Sequence, residues 1–222
     1  MNQIVRRTLA GSLDFALNKM GVPGPREPHP VLFQAASGLT GGVGGFLGLA
    51  ALAIELPVTT TLILRSIAGI AARHGERFDQ PEARLACVEV FAFGPNGKDG
   101  VSGEASYLAT RAILARTVSE ATQNLLQRGA ATTSAPVIVD LISSIGSRLG
   151  VVVSERVAAG AIPVVGALGG AAINLVFMQH FQRVARAHFA VRKLERIYGS
   201  QTIRERYHEY SRLRKNRSHT NL

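Results

Sequence analysis

Six side chains in the sequence could bind or transfer something: Glu55, Arg65, Glu89, Asn174, His180 and His188. Each stands among apolar neighbours. A charged group in such surroundings is paired or changes its protonation. Glu55 closes a charge-free run, and the next charge is Arg65, with Pro57 between them. Their partners must come from other helices, and Glu89, flanked by Val88 and Val90, is the expected partner of Arg65. Satisfied core ion pairs are the expectation, and a ligand or proton-relay site is the alternative. Asn174 is expected to bridge two helices by hydrogen bonding, or else to line a cavity. His180 and His188 are eight residues apart and read as satisfied helix histidines. No His-Glu-x-x-His occurs and no cysteine is near them, so no metal site is expected. Neither a Gly-x-Ser-x-Gly elbow nor a Ser-x-x-Lys motif occurs, which leaves a serine hydrolase without support. No catalytic set and no cofactor are expected.

The second group is electrostatic. Eleven Lys/Arg against three Glu put +8 of the net +10 between Arg183 and Arg217. Arg183, Arg186, Arg192, Lys193 and Arg196 adjoin an apolar stretch, a pattern that suits lipid headgroups. Nucleic acid ranks last as a partner, because aromatic interleaving is limited to Tyr198, Tyr207 and Tyr210. Charged residues make up only 18% of the chain, below the roughly 25% of soluble domains. A lone Cys87 rules out an intramolecular disulfide and suits a reducing compartment. Arg6 and Arg7 mimic the start of a secretory leader, but Asp14 interrupts the apolar core such a leader needs.

Two charge-free, glycine-rich stretches must position these groups. Ala35–Ile54 holds Gly38, Gly41, Gly42, Gly44, Gly45 and Gly48; Val157–Gln182 holds Gly160, Gly166, Gly169 and Gly170. Glycine inside a helix costs about 1 kcal/mol relative to alanine. That cost is tolerable where helices approach closely, and Gly38, Gly42, Gly45, Gly48, Gly166 and Gly170 have small-xxx-small spacing. The two stretches are expected to pack on each other. A phosphate cradle is excluded: Gly42-Val-Gly44 lacks the third glycine of the dinucleotide fingerprint and any preceding strand, and no Gly-Lys-Ser/Thr follows. The first stretch is long enough to span a bilayer. Glycine and alanine add little apolar area, though, and Glu55 or Arg65 at the midplane costs roughly 3 kcal/mol. A re-entrant or interfacial hairpin, or a buried core helix, fits at least as well.

The remaining chain reads as helices separated by breakers. Residues 2–20 carry Val5, Leu9, Leu13, Ala16 and Met20 at helical steps, and the Pro-rich 21–34 is a loop. Pro57 predicts a kink or restart near 55–58, with Thr59–Thr61 bonding back to carbonyls four residues earlier. That helix ends at Gly75. Gln80-Pro81-Glu82 starts another, running to about Phe93. Residues 102–128 form a third, with Leu108, Ala112, Ala115, Ser119, Thr122 and Leu126 on one face. Residues 136–157 are β-branched yet lack polar alternation, so helix is preferred over strand. A long helix ends at Gly199, with Phe177, Phe181, Val184, His188, Val191, Leu194 and Tyr198 on its apolar side. Gln201–Lys215 forms the last helix, before a disordered tail. The expected fold is all-α: one helical domain, residues 1–199, followed by a basic helix and tail, residues 200–222.

Glu55–Ile67 (ELPVTTTLILRSI), Pro81–Phe93 (PEARLACVEVFAF), Ile162–Asn174 (IPVVGALGGAAIN) and His180–Gly199 (HFQRVARAHFAVRKLERIYG) resemble the EcsC family of bacterial proteins. The resemblance spans about residues 35–199. It implies a membrane-linked helical protein, named after a protein associated with an ABC transporter, and brings no catalytic residues. The expectation is therefore a binding protein at the cytoplasmic face of the bacterial membrane, or else in the cytoplasm. Its partner would be anionic lipid or a membrane protein. The rival is an enzyme or small-molecule-binding protein with a buried polar site around Glu55, Arg65 and His180.

Overall fold

The computed structural model describes residues 2–19, 33, 52–93, 104–128, 136, 138–146 and 166–220. Helix dominates, and no strand occurs among the described residues. The fold is all-α, as the helical spacing and breaker positions require.

Helix α1 (Asn2–Asp14) runs into a π-helical turn, Phe15–Lys19. Leu9, Leu13 and Ala16 are buried, three members of the expected apolar stripe. Helix α2 (Leu52–Arg73) is continuous through Pro57, so the chain does not restart there. Proline removes one backbone bond near the start of this helix. The buried Ile63, Leu64, Ile67, Ile70 and Ala71 hold the remaining turns against the core. Thr61 Oγ1 donates to Pro57 O at 2.8 Å, the back-bond expected of it. Thr59 differs: its buried hydroxyl has no hydrogen-bond partner among the described residues.

Gly75, at φ +80°, ends α2. Its N–H bonds Ala72 O and the N–H of Glu76 bonds Ala71 O, the paired closure that a left-handed glycine permits. Helix α3 (Pro81–Glu89) starts on an extended Gln80 with proline in its first turn, and a 3-10 turn, Val90–Ala92, follows. Six of its residues, Ala83 and Leu85 to Glu89, are buried, so this short helix is enclosed on nearly every side.

Helix α4 (Glu104–Arg128) overturns the expected face. Thr110, Leu114, Ala121 and Leu125 are buried. Ala112, Ala115, Ser119 and Leu126 are exposed. The two stripes are similarly apolar, with two leucines each, and the inner one is the stripe turned inward where α4 packs on α3. Residues 138–146 are helical, with Ile138, Leu141, Ile142 and Ile145 buried; here packing overrides local strand preference.

Helix α5 (Gly166–Tyr198) is the central element. It packs against α2, the 3-10 turn and the C-terminal helix, while α2 also meets α1 and α3, and α3 meets α4. Phe181 is its hub, with ring centroids of Phe91 at 5.1 Å and Phe177 at 5.0 Å. Gln182 Nε2 donates to Ser66 Oγ at 2.8 Å inside the α2–α5 contact. Beyond Arg192 the helix leaves the core, so the expected apolar positions Leu194 and Tyr198 are exposed. Gly199, at φ +87°, separates α5 from α6 (Ser200–Thr220). Helix α6 continues past Lys215 to Thr220, where a disordered tail was expected. Among the described residues no helix is long and apolar enough to cross a membrane.

Candidate functional site

Three helices bring their polar groups to one place. His188, Arg192 and Glu195 lie four and three residues apart, one stripe of α5. Tyr107 and Arg111 are one turn apart on α4. Glu89 closes the buried α3, Glu82 stands in its first turn, and Glu76 precedes it. Together they form an inner line of three titratable groups and an outer ring of ion pairs.

In the inner line, Tyr107 Oη lies 3.1 Å from His188 Nδ1, and His188 Nε2 lies 4.0 Å from Glu89 Oε2. Nε2 makes no hydrogen bond among the described residues. His188 is fully buried and Glu89 is 5% exposed. Phe93 covers the line, its ring 5.0 Å from Tyr107 and 5.3 Å from His188. From α6, the ring of Tyr207 stands 6.1 Å from that of Tyr107.

Burial raises the Glu89 carboxyl to about 7, against the downward pull of Arg111 and Arg192. It holds the His188 imidazole well below its usual value, and the same two guanidinium groups reinforce that shift. Burial also pushes the Tyr107 phenol up. Near neutral pH, therefore, the line has a neutral imidazole, a neutral phenol and a carboxyl poised to take or lose a proton.

The outer ring surrounds a cleft of about 340 Å³ lined by Glu76, Glu82, Arg111, Arg192, Glu195 and Arg196, among others. Arg111 holds Glu195 through two bonds of 2.8 Å. Arg192 holds both oxygens of Glu76, at 3.0 and 3.1 Å, and reaches Glu82 at 3.1 Å. Arg196 bonds Glu76 as well and donates to His74 O at 2.6 Å. Burial pushes Glu76 up, but Arg192 and Arg196 outweigh it and hold the carboxyl below its usual range. These fork-to-carboxylate contacts tie α5 to the turn after Gly75 and to α4.

Of the residues expected from sequence, the structure joins Glu89 and His188. The Arg65–Glu89 pair is corrected: Arg65 is exposed, with its guanidinium 5.2 Å from the centre of the Phe15 ring. A cation over a ring satisfies the charge without a carboxylate. His180 is part-buried, with Nε2 3.1 Å from Phe93 O. No bond or ion pair joins it to Arg65 among the described residues, and burial lowers its pKa. Asn174 is fully buried in α5. The side chain of Glu55 falls outside the described residues, as do Gly38, Gly42, Gly45 and Gly48, and with them the expected packing of the two glycine-rich stretches. Gly166 and Gly170 lie in the first turns of α5. Arg192 and Arg196 are engaged in the ring, whereas Arg183, Arg186 and Lys193 are exposed.

Sequence reasoning missed Tyr107, Arg111, Glu76, Glu82 and Glu195. One signal was available: Glu195 is the single acid between Arg183 and Arg196, and an isolated acid in a basic run invites a partner elsewhere.

A model described as the EcsC protein family matches residues 31–194. That range holds Glu76, Glu89, Tyr107, Arg111, His188 and Arg192, and it ends before Glu195, Arg196 and α6. No curated protein and no solved structure matches the chain.

Proposed function

The chain belongs to the EcsC protein family, and on that premise we propose a binding protein that docks on anionic membrane surfaces through its C-terminal helices. One observation carries the reading. Leu194, Ile197 and Tyr198, at the end of α5, are 42%, 59% and 62% exposed. Spaced three and four residues apart, they form one apolar face just where α5 leaves the core. Lys193 lies beside them, and Arg183 and Arg186 are exposed on the preceding turns. Helix α6 adds exposed Tyr210 and Leu213 and exposed Arg204, Arg206 and Arg212. Apolar anchors within a basic field are the requirements of a helix that lies in the lipid interface. The glycine-rich, charge-free Ala35–Ile54 is a second proposed contact, on its composition. The cytoplasmic face is the proposed side, since Lys/Arg-rich segments stay there.

Vesicle flotation of the full chain tests the reading. Binding is expected to vesicles containing phosphatidylglycerol at low salt, and to fall on adding salt or on removing residues 200–222. Retention in the aqueous fraction at low salt with anionic vesicles defeats it.

A further inference from the structure

Glu89, His188 and Tyr107 span three helices, with an imidazole between a carboxyl and a phenol, and only the phenol end approaches the surface. Of the imidazole's two nitrogens, Nδ1 meets Tyr107 at 3.1 Å. Nε2 faces Glu89 at 4.0 Å without a hydrogen bond among the described residues. A neutral imidazole has one N–H, and whichever nitrogen holds it makes the other an acceptor. We infer that Glu89, His188 and Tyr107 form a proton-binding relay in which the proton held by Glu89 sets the tautomer of His188 and the direction of the Tyr107 hydroxyl.

With Glu89 ionised, Nε2–H points at the carboxylate, and Nδ1 accepts the Tyr107 hydroxyl. Adding one proton reverses both bonds. The incoming proton arrives at the Tyr107 oxygen, Tyr107 passes its own proton to Nδ1, and Nε2–H passes to Glu89. The products are a carboxylic acid that donates to Nε2, an Nδ1–H that donates to Tyr107 Oη, and a hydroxyl hydrogen turned outward. One proton enters, and the imidazole and phenol end neutral. Direct sharing requires Nε2 and Oε2 to close by about 1 Å, to ordinary hydrogen-bond distance.

Every packed element contributes to the field. Arg111 on α4 and Arg192 on α5 favour the ionised carboxyl, while Glu195 on α5 and Glu82 on α3 oppose it. The same two arginines disfavour an imidazolium, so the added proton rests on Glu89 and not on His188. Tyr107 faces Arg111, its guanidinium carbon 5.9 Å from the ring centre, and Tyr207 of α6. Phe93 and Phe189 add no charge to the His188 surroundings. Tyr107 connects the relay outward: its hydroxyl is a committed donor in one state and free to donate elsewhere in the other.

The test uses the full chain with 15N-labelled histidine and 13C-labelled glutamate, followed by NMR from about pH 5.5 to about pH 8.5, a window that brackets an unperturbed histidine. His188 is expected to pass from the Nε2–H tautomer at high pH to the Nδ1–H tautomer at low pH, without becoming a cation. The step should coincide with the titration of the Glu89 carboxyl. In Glu89→Gln one tautomer is expected throughout. A carboxyl that titrates while the His188 ring stays unchanged overturns the relay. So does an imidazolium, or a Glu89 carboxyl that does not titrate in this window. The unsubstituted chain decides the matter by itself, so the folding of the variant does not limit the test.

Discussion

His188 Nε2 faces Glu89 Oε2 across 4.0 Å between α5 and α3, and burial disfavours a charge on either. Their responses to pH run in opposite directions. Glu89 binds its proton more tightly in the folded chain, with its carboxyl raised to about 7. Its stability contribution is fully present below the unfolded carboxyl range and is lost as pH rises through about 7. His188 is held neutral and works against folding as pH falls through the range of an unfolded histidine.

Glu89→Gln follows from that sign. The amide mimics the protonated carboxyl without the cost of ionisation. At pH 8 the variant is expected to exceed the parent in stability by up to roughly 3 kcal/mol, and at pH 5 to differ little. Urea unfolding at the two pH values measures the difference, and an equal effect at both would contradict the raised carboxyl.

Arg192 ties Glu76 and Glu82 to α5, and the Glu76 side chain is 4% exposed. Arg192→Met leaves Glu76 with Arg196 alone and is expected to cost about 3 kcal/mol. Arg192→Lys keeps the charge but loses the fork, at about 1 kcal/mol. Urea midpoints at unchanged slope rank the two, and a lysine variant as unstable as the methionine one would mean that geometry alone carries the contact.

Phe181 is fully buried and meets Phe91, Phe177 and His180 edge-on. Phe181→Ala is expected to cost about 3–5 kcal/mol. Thermal unfolding at fixed pH would report it as a lowered Tm.

Leu194 and Ile197 contact solvent, so Leu194→Ser with Ile197→Ser should change stability by no more than about 0.5 kcal/mol. Anionic vesicle binding should nevertheless fall several-fold. If unfolding and flotation are both unaltered, this face takes no part in docking.

Gly199 joins α5 to α6 at φ +87°, a conformation that costs an alanine roughly 1–2 kcal/mol. Space is not the obstacle, since no atom lies within 4 Å of an added Cβ. Gly199→Ala should therefore weaken the junction through backbone strain, and Gly199→Asn should weaken it less. Amide exchange in the first turn of α6 distinguishes the two.

The class of fold and several helix boundaries follow from residue types and their spacing. Gly75 and Gly199 stop helices because few other residues take a left-handed backbone, and Pro81 starts one because its missing donor is not needed there. Leu9, Leu13 and Ala16 are legible as a buried stripe, since α1 offers one clear apolar face. Periodicity gives the pitch of a helix but not its rotation, so α4, with two similar stripes, was read on the wrong one. Which charges meet depends on how the helices pack. Glu76 and Arg192 are separated by 116 residues, and Tyr107 and His188 by 81. Nothing local announces either pairing. Arg65 meets an aromatic ring and Glu89 an imidazole because helix packing, and not sequence spacing, sets the neighbour that each charge receives.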